Sequence, residues 1–362
     1  MGAGRPRRRR LNKAPTGEAV KRTAQNQWDL AEEMATRTIE TAVSWLSFGQ
    51  CSYTARPQTP RQREPRAYQS DEEIARGWIF RAFSASICAY ADVVHAFDVR
   101  GLDRLPKDEP VLFILPHSTH NVDIFVCLFK MQQMCGRFPR GLFHRGVMLC
   151  WGWLLRFFGG VPGKRDIAVD LAKAGFNIAC VPGGVEDILH HLTGNGRKAY
   201  ELCWESHNHP GVLRKGFGSV ACEVGEGFRI VPLFVENGEE MKCNVLFEVV
   251  TGLGLDVAYG SIMRKMPSLI AWLMWQIAIF TWCSLSFAAL VVPVKVTAHI
   301  GEAIVVGKEE TGEQVAGRAH QALQELIDQT QGRRHRSFRT GLALRWEHLR
   351  LQLACCFHAK SE

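Results

Sequence analysis

Four short apolar runs constrain this chain more than any other feature: VLFIL at 111–115, NIACV at 177–181, RIVPLFV at 229–235 and VKVTAHI at 294–300. Each suits a strand, VLFIL a buried one. Between and around them lie segments suited to helices: 77–96, 124–134, 146–158, a start at DILHHL, and a periodic helix at 316–330. Apolar strands separated by helices indicate an α/β fold, with a mixed, mostly parallel sheet and helices on both faces.

The 362 residues are 46% hydrophobic, enough for a real core. The formal charge of +8 is uneven. Arg5, Arg7, Arg8, Arg9, Arg10, Lys13, Lys21 and Arg22 face only Glu18 before residue 27, so the N-terminal arm carries most of the excess. Such an arm favours anionic lipid headgroups or nucleic acid. It has no aromatic residue before Trp28, which argues against base stacking and a nucleic-acid partner. Residues 1–72 divide into this arm, a short helix over 27–50 and a proline-rich linker. A folded domain is expected over 73–332 and a basic amphipathic tail over 333–362. The twelve cysteines include no CxxC, and many sit among apolar neighbours, which suggests reduced thiols. No apolar stretch follows the basic N-terminus as a secretory leader would require, and Pro6 spoils a myristoylation signal.

The longest apolar run, 268–293, is long enough for a membrane span, with Gln276 its most polar interruption. If RIVPLFV and VKVTAHI share a sheet, the chain must return to the same side. An in-plane or re-entrant helix that docks the domain on lipid therefore fits better than a span.

Chemistry concentrates in FILPHSTHNVDIF, residues 113–125, where a greasy strand ends in His117, His120 and Asp123. Strand tips of open α/β sheets are where ligands bind. The segment allows three interpretations. It can be a polar turn, a general base with an orienting carboxylate, or three ligands of a metal. Imidazoles three apart meet a metal only on a regular helix, and this is a strand exit, so no metal is expected. GFGSVA at 216–221 has Ala221 where a nucleophile elbow needs glycine. GGVPGKR at 159–165 is one residue short of a phosphate loop and has Arg165 where Ser or Thr would bind magnesium.

The order of blocks carries more than any block alone. PHSTHNVD is followed by FFGGVPGKRD, ACVPGGVEDI, then LRKGFGSVACEVG with RIVPLFVENGEEM. From about Val99 to Thr330 this series resembles the glycerolipid acyltransferase superfamily, nearest its diacylglycerol acyltransferase-like branch. The resemblance implies that His117 is the catalytic histidine and Asp123 its partner. His120 is an alternative base. Arg165 would handle the acceptor's polar or phosphate group. Pro182, Gly183, Gly184 and Glu186 would form the acceptor block. Arg214, Lys215, Gly216 and Phe217 would line the acyl-donor side, and Pro232 would match the last block. The chain departs from the common pattern in its six-residue step from His117 to Asp123 and in Pro116 before the histidine. A glycine pair in place of FPEGT favours a neutral acceptor.

The expectation is a membrane-associated O-acyltransferase on the cytosolic face of the endoplasmic reticulum. It would move a fatty acyl group from acyl-CoA to a glycerolipid or fatty-alcohol hydroxyl, with membrane lipids as partners and no cofactor beyond that co-substrate. The rivals are a metal-dependent hydrolase using His117, His120 and Asp123, and a non-catalytic membrane-binding protein on the same scaffold.

Overall fold

A computed structural model describes residues 77–331, apart from 107–108, 137, 185–199, 207–208, 244–248, 251–252 and 264, and also residues 343, 346, 347 and 350. The basic arm, the helix expected at 27–50, the linker, the DILHHL helix start, Glu186 and nearly all of the 333–362 tail lie outside the described residues.

The strands in chain order are β1 (Asp98–Arg100), β2 (Val111–Ile114), β3 (Arg140–Phe143), β4 (Val161–Pro162), β5 (Ile178–Cys180), β6 (Glu205–Ser206), β7 (His209–Leu213), β8 (Arg229–Glu236), β9 (Lys242–Cys243), β10 (Leu290–Val291), β11 (Thr297–Ile300) and β12 (Ile304–Val305). The helices are α1 (Trp78–His95), α2 (Val122–Cys135), α3 (Arg145–Phe157), α4 (Arg165–Lys173), α5 (Gly216–Val224), α6 (Leu255–Met263), α7 (Ser268–Ala288) and α8 (Gly312–Thr330). Eight strands form one sheet in the order β1-β11-β8-β2-β5-β3-β4, with β12 also on β8. Most neighbours are parallel, and β11 and β12 run antiparallel to β8. The sheet is therefore mixed and mostly parallel.

The core follows from the two-residue period of a strand. Along β2, Val111, Phe113 and Leu115 face one side while Leu112 and Ile114 face the other. Along β8, Val231, Leu233 and Val235 oppose Ile230 and Phe234 in the same way. The first side is covered by α1 and α2 through Phe80, Cys88, Phe129 and Met131. The second is covered by α4, α5 and α8 through Leu171, Phe217, Val220, Leu323 and Ile327. Burial on both faces explains why these strands read as continuous apolar runs.

Helix α8 starts four residues earlier than the apolar pattern marks, at a capping box in which Thr311 and Gln314 satisfy each other's backbone N–H. It lies against α5 at a crossing made of two glycines. A Cβ on Gly218 would stand 2.2 Å from the Gly312 carbonyl oxygen. Helix α7 carries no charged side chain. Among the described residues no helix is long and apolar enough to cross a membrane.

Candidate active site

Strands β5, β2 and β8 run parallel side by side, so their C-terminal ends open on one edge of the sheet. Three exits meet there: 115–121 from β2, 181–184 from β5 and 237–241 from β8. This is the crevice where side chains leaving an open α/β sheet converge.

The exit from β2 holds both histidines in different environments. His117 is half-buried and His120 fully buried. Asn121 caps α2 with φ 58°, a left-handed conformation that Asn tolerates. Its Oδ1 accepts a short hydrogen bond from His117 Nδ1. The Asn121 N–H donates to Ser118 Oγ at 2.9 Å, and the Ser118 hydroxyl donates a short bond to Asp123 Oδ1. These bonds connect His117 to Asp123 by way of Asn121 and Ser118 across the six-residue step.

His120 Nδ1 accepts the Val122 N–H at 3.2 Å, so a neutral ring carries its proton on Nε2. Among the described residues that Nε2 is buried with no partner in good hydrogen-bond geometry, although the backbone of Gly238 and Glu239 lies against the ring. Burial lowers its pKa from 6.5 to about 4, against the pull of the Glu239 charge. Asp123 moves the other way, raised from 3.8 to about 7, chiefly by burial and against the stabilising Ser118 bond. The position of Asp123 in the first turn of α2 does not overcome that desolvation.

The exit from β8 supports this turn from below. Glu239 Oε2 accepts both the Thr119 N–H at 3.0 Å and its hydroxyl at 2.8 Å. Tyr200 donates a short bond to Glu240, and the Glu239 N–H donates to the Tyr200 oxygen at 3.3 Å. Gly238 must be small, because a Cβ there would lie 2.9 Å from Asp123 Oδ2. From the other side Trp282 of α7 donates its indole N–H to the Thr119 carbonyl at 2.8 Å. Ser118, Thr119, Asn121, Glu239 and Trp282 are not singled out from sequence alone. The one signal was the carboxylate-rich ENGEEM that follows the strand neighbouring β2.

At the third exit Pro182 and Gly183 are buried, and Gly184 has φ 60°. Arg214 Nη1 donates to the Gly183 carbonyl at 2.9 Å, which joins the two expected substrate blocks directly. Gly216 opens α5, and Phe217 packs edge-on against Trp204 at 5.3 Å. Lys215 and Arg165 lie in surface ion pairs, with Glu313 at 3.0 Å and Glu223 at 2.8 Å. Exposed pairs of this kind hold weakly and exchange readily for a stronger anion. Among the described residues no three His, Cys, Asp or Glu side chains are grouped as metal ligands.

No family model matches the chain. It is 26% identical over 246 residues to the bovine protein named "DGAT1/2-independent enzyme synthesizing storage lipids", a match covering 67% of this chain and 62% of that one. The human protein of the same name is also 26% identical, over 67% of this chain and 64% of its own length. The chicken protein is 24% identical, over 66% and 61%. The chain thus spans under two thirds of these relatives. A crystal structure of the 1-acyl-sn-glycerophosphate acyltransferase PlsC from Thermotoga maritima is similar with a TM-score of 0.40 at 12% identity, over 70% of this chain and 83% of that one. At 24–26% identity the chain is thus similar to proteins named for storage-lipid synthesis, in agreement with its resemblance to the glycerolipid acyltransferase superfamily. Of the superfamily blocks quoted above, the histidine and PGG blocks leave adjacent strands, and RKGF is tied to PGG through Arg214.

Proposed function

We propose that the protein is a membrane-associated O-acyltransferase that uses acyl-CoA and esterifies a glycerolipid or fatty-alcohol hydroxyl. The names of the curated relatives, which speak of storage-lipid synthesis, support a neutral glycerolipid as acceptor. The observation that carries the proposal is the half-buried His117 at the exit of the central strand, with Nδ1 engaged by Asn121. With its Nδ1 proton held toward Asn121 Oδ1, the ring keeps its lone pair on Nε2. That is the arrangement a general base needs.

In the proposed reaction His117 Nε2 takes the acceptor's hydroxyl proton as the oxygen attacks the thioester carbonyl. A C–O bond forms and the C–S bond breaks. The imidazolium returns the proton to the departing thiolate, so ester and coenzyme A leave with no net change in the protein. Asn121 orients the ring, and Asp123 acts as a positioning residue through Ser118. His120 is too buried and too weakly basic for the proton transfer, and its role is structural. Arg165, Lys215 and Arg214 offer cations to the phosphates of coenzyme A or the acceptor. No resident cofactor enters this scheme. The exposed apolar side chains of α7, with Trp153 and Phe157 of α3 and Trp78 and Ile79 of α1, would dock the domain on the cytosolic face of the endoplasmic reticulum, where both acyl chains reside.

The test is acyl transfer from labelled acyl-CoA to a panel of acceptors, comparing wild type with His117→Ala and His120→Ala. Loss of a positioned general base is expected to lower kcat by about 10²–10⁴ for His117→Ala. Full activity in His117→Ala with none in His120→Ala would reverse the assignment, and full activity in both would end the catalytic proposal.

A further inference from the structure

We propose that Trp282 is a positioning residue that transmits contact between helix α7 and a lipid surface to the loop bearing His117. The inference rests on the acyl-transfer proposal above and adds to it a route from bilayer to site.

Helix α7 has two unlike faces. Ile270, Leu273, Met274, Ile277 and Phe280 are exposed large hydrophobics at helical spacing. Half-buried Ala271, Ala278, Trp282 and Leu285 recur on the side toward the domain. The helix has no Asp, Glu, Lys or Arg among its 21 residues, and Lys265 stands exposed just before it. An uncharged apolar face flanked by a cation, about 31 Å long at helical rise, fits the headgroup–acyl boundary of an anionic bilayer. Phe280 also stacks on Trp151 of α3, ring centroids 6.4 Å apart.

One link inward is a hydrogen bond. Trp282 Nε1 donates to the Thr119 carbonyl at 2.8 Å, and the N–H of the same residue is taken by Glu239. Thr119 sits between His117 and His120, so the loop is gripped on one side by the sheet and on the other by α7. Seating α7 on lipid restricts the indole, and through it the Thr119 peptide. An unseated helix lets that side of the grip loosen.

The experiment compares full-length wild type, Trp282→Phe and the double variant Leu273→Asn/Ile277→Asn, with and without phosphatidylcholine vesicles containing phosphatidylserine. It reads vesicle co-sedimentation, hydrogen exchange of the 117–122 amides, and kcat and KM for acyl-CoA. Wild type should bind vesicles and slow its loop exchange by roughly three- to tenfold, the scale of one neutral hydrogen bond. Trp282→Phe keeps an aromatic side chain and removes the N–H donor. It should bind equally, lose the vesicle-dependent slowing, and lower kcat by a similar factor with KM unchanged. The double variant should fail to bind and keep its solution exchange rate. Equal protection in Trp282→Phe and wild type, or no effect of vesicles on wild type, would overturn the coupling. If wild type transfers no acyl group, the proposed function fails, while the exchange data still decide the coupling.

Discussion

Asp123 offers a test that separates its charge from its shape. Buried beside Glu239, its carboxyl is raised from 3.8 to about 7. A carboxyl whose folded pKa lies above its unfolded one favours folding only while protonated. The unfolded chain releases that proton above about pH 4 and the folded one only near pH 7, so this contribution is lost as pH rises through that window. At 1.36 kcal/mol for each pH unit, the cost relative to an uncharged side chain is about 2 kcal/mol at pH 5 and about 4 kcal/mol at pH 8. Asp123→Asn keeps an oxygen for Ser118 and never ionises. Its stability relative to wild type should improve by about 2–3 kcal/mol between pH 5 and pH 8. His120 slopes oppositely, since its pKa falls from 6.5 to about 4, but it is shared by both proteins and drops out of the difference. Urea unfolding followed by tryptophan fluorescence at the two pH values measures this directly. A difference independent of pH would refute the claim that burial keeps Asp123 protonated near neutrality.

Asn121→Ala removes the group on His117 Nδ1 and should cut kcat by about 10-fold or more with little change in KM, read in the acyl-transfer assay. Gly238→Ala pushes a methyl group against Asp123 and the Val235 carbonyl, and should cost about 1–3 kcal/mol in urea unfolding. Gly218→Ala drives α5 from α8 at the Gly312 carbonyl and should lower stability by at least as much, seen as a fall in Tm. Arg214→Ala frees the Gly183 carbonyl and should cost about 1–2 kcal/mol, with weaker use of acyl-CoA in the transfer assay.

The sheet strands with continuous apolar runs were legible because both faces are buried: 229–235 becomes Arg229–Glu236, and 177–181 becomes Ile178–Cys180. VKVTAHI shortens to Thr297–Ile300, its first residues making other contacts, such as His95 Nδ1 with the Val294 carbonyl at 3.1 Å. Strands β1, β3 and β4 were missed, because DVR, RGLF and VP are too short to show a period. At the site His117 and Asp123 stand out by residue type and by block order. Their connection does not, since it depends on the left-handed turn at Asn121, a backbone feature invisible to side-chain patterns. Glu239 and Trp282 reach Thr119 across 120 and 163 residues of chain, and no local pattern encodes such meetings.

The pairing of β1 with β11 sets the order in which this protein can be made. Asp98 meets Thr297 and Arg100 meets His299, so the sheet edge closes only after some two hundred residues have been laid down. The apolar stretch 268–288 leaves the ribosome before β11 has emerged to complete the sheet. For that interval the nascent chain exposes its greasiest segment with no finished domain to rest on, and such intermediates are prone to aggregate. A membrane close to the site of synthesis would shelter that segment while the last strands arrive. On this account, a chain released far from lipid should fail in assembly before it fails in catalysis.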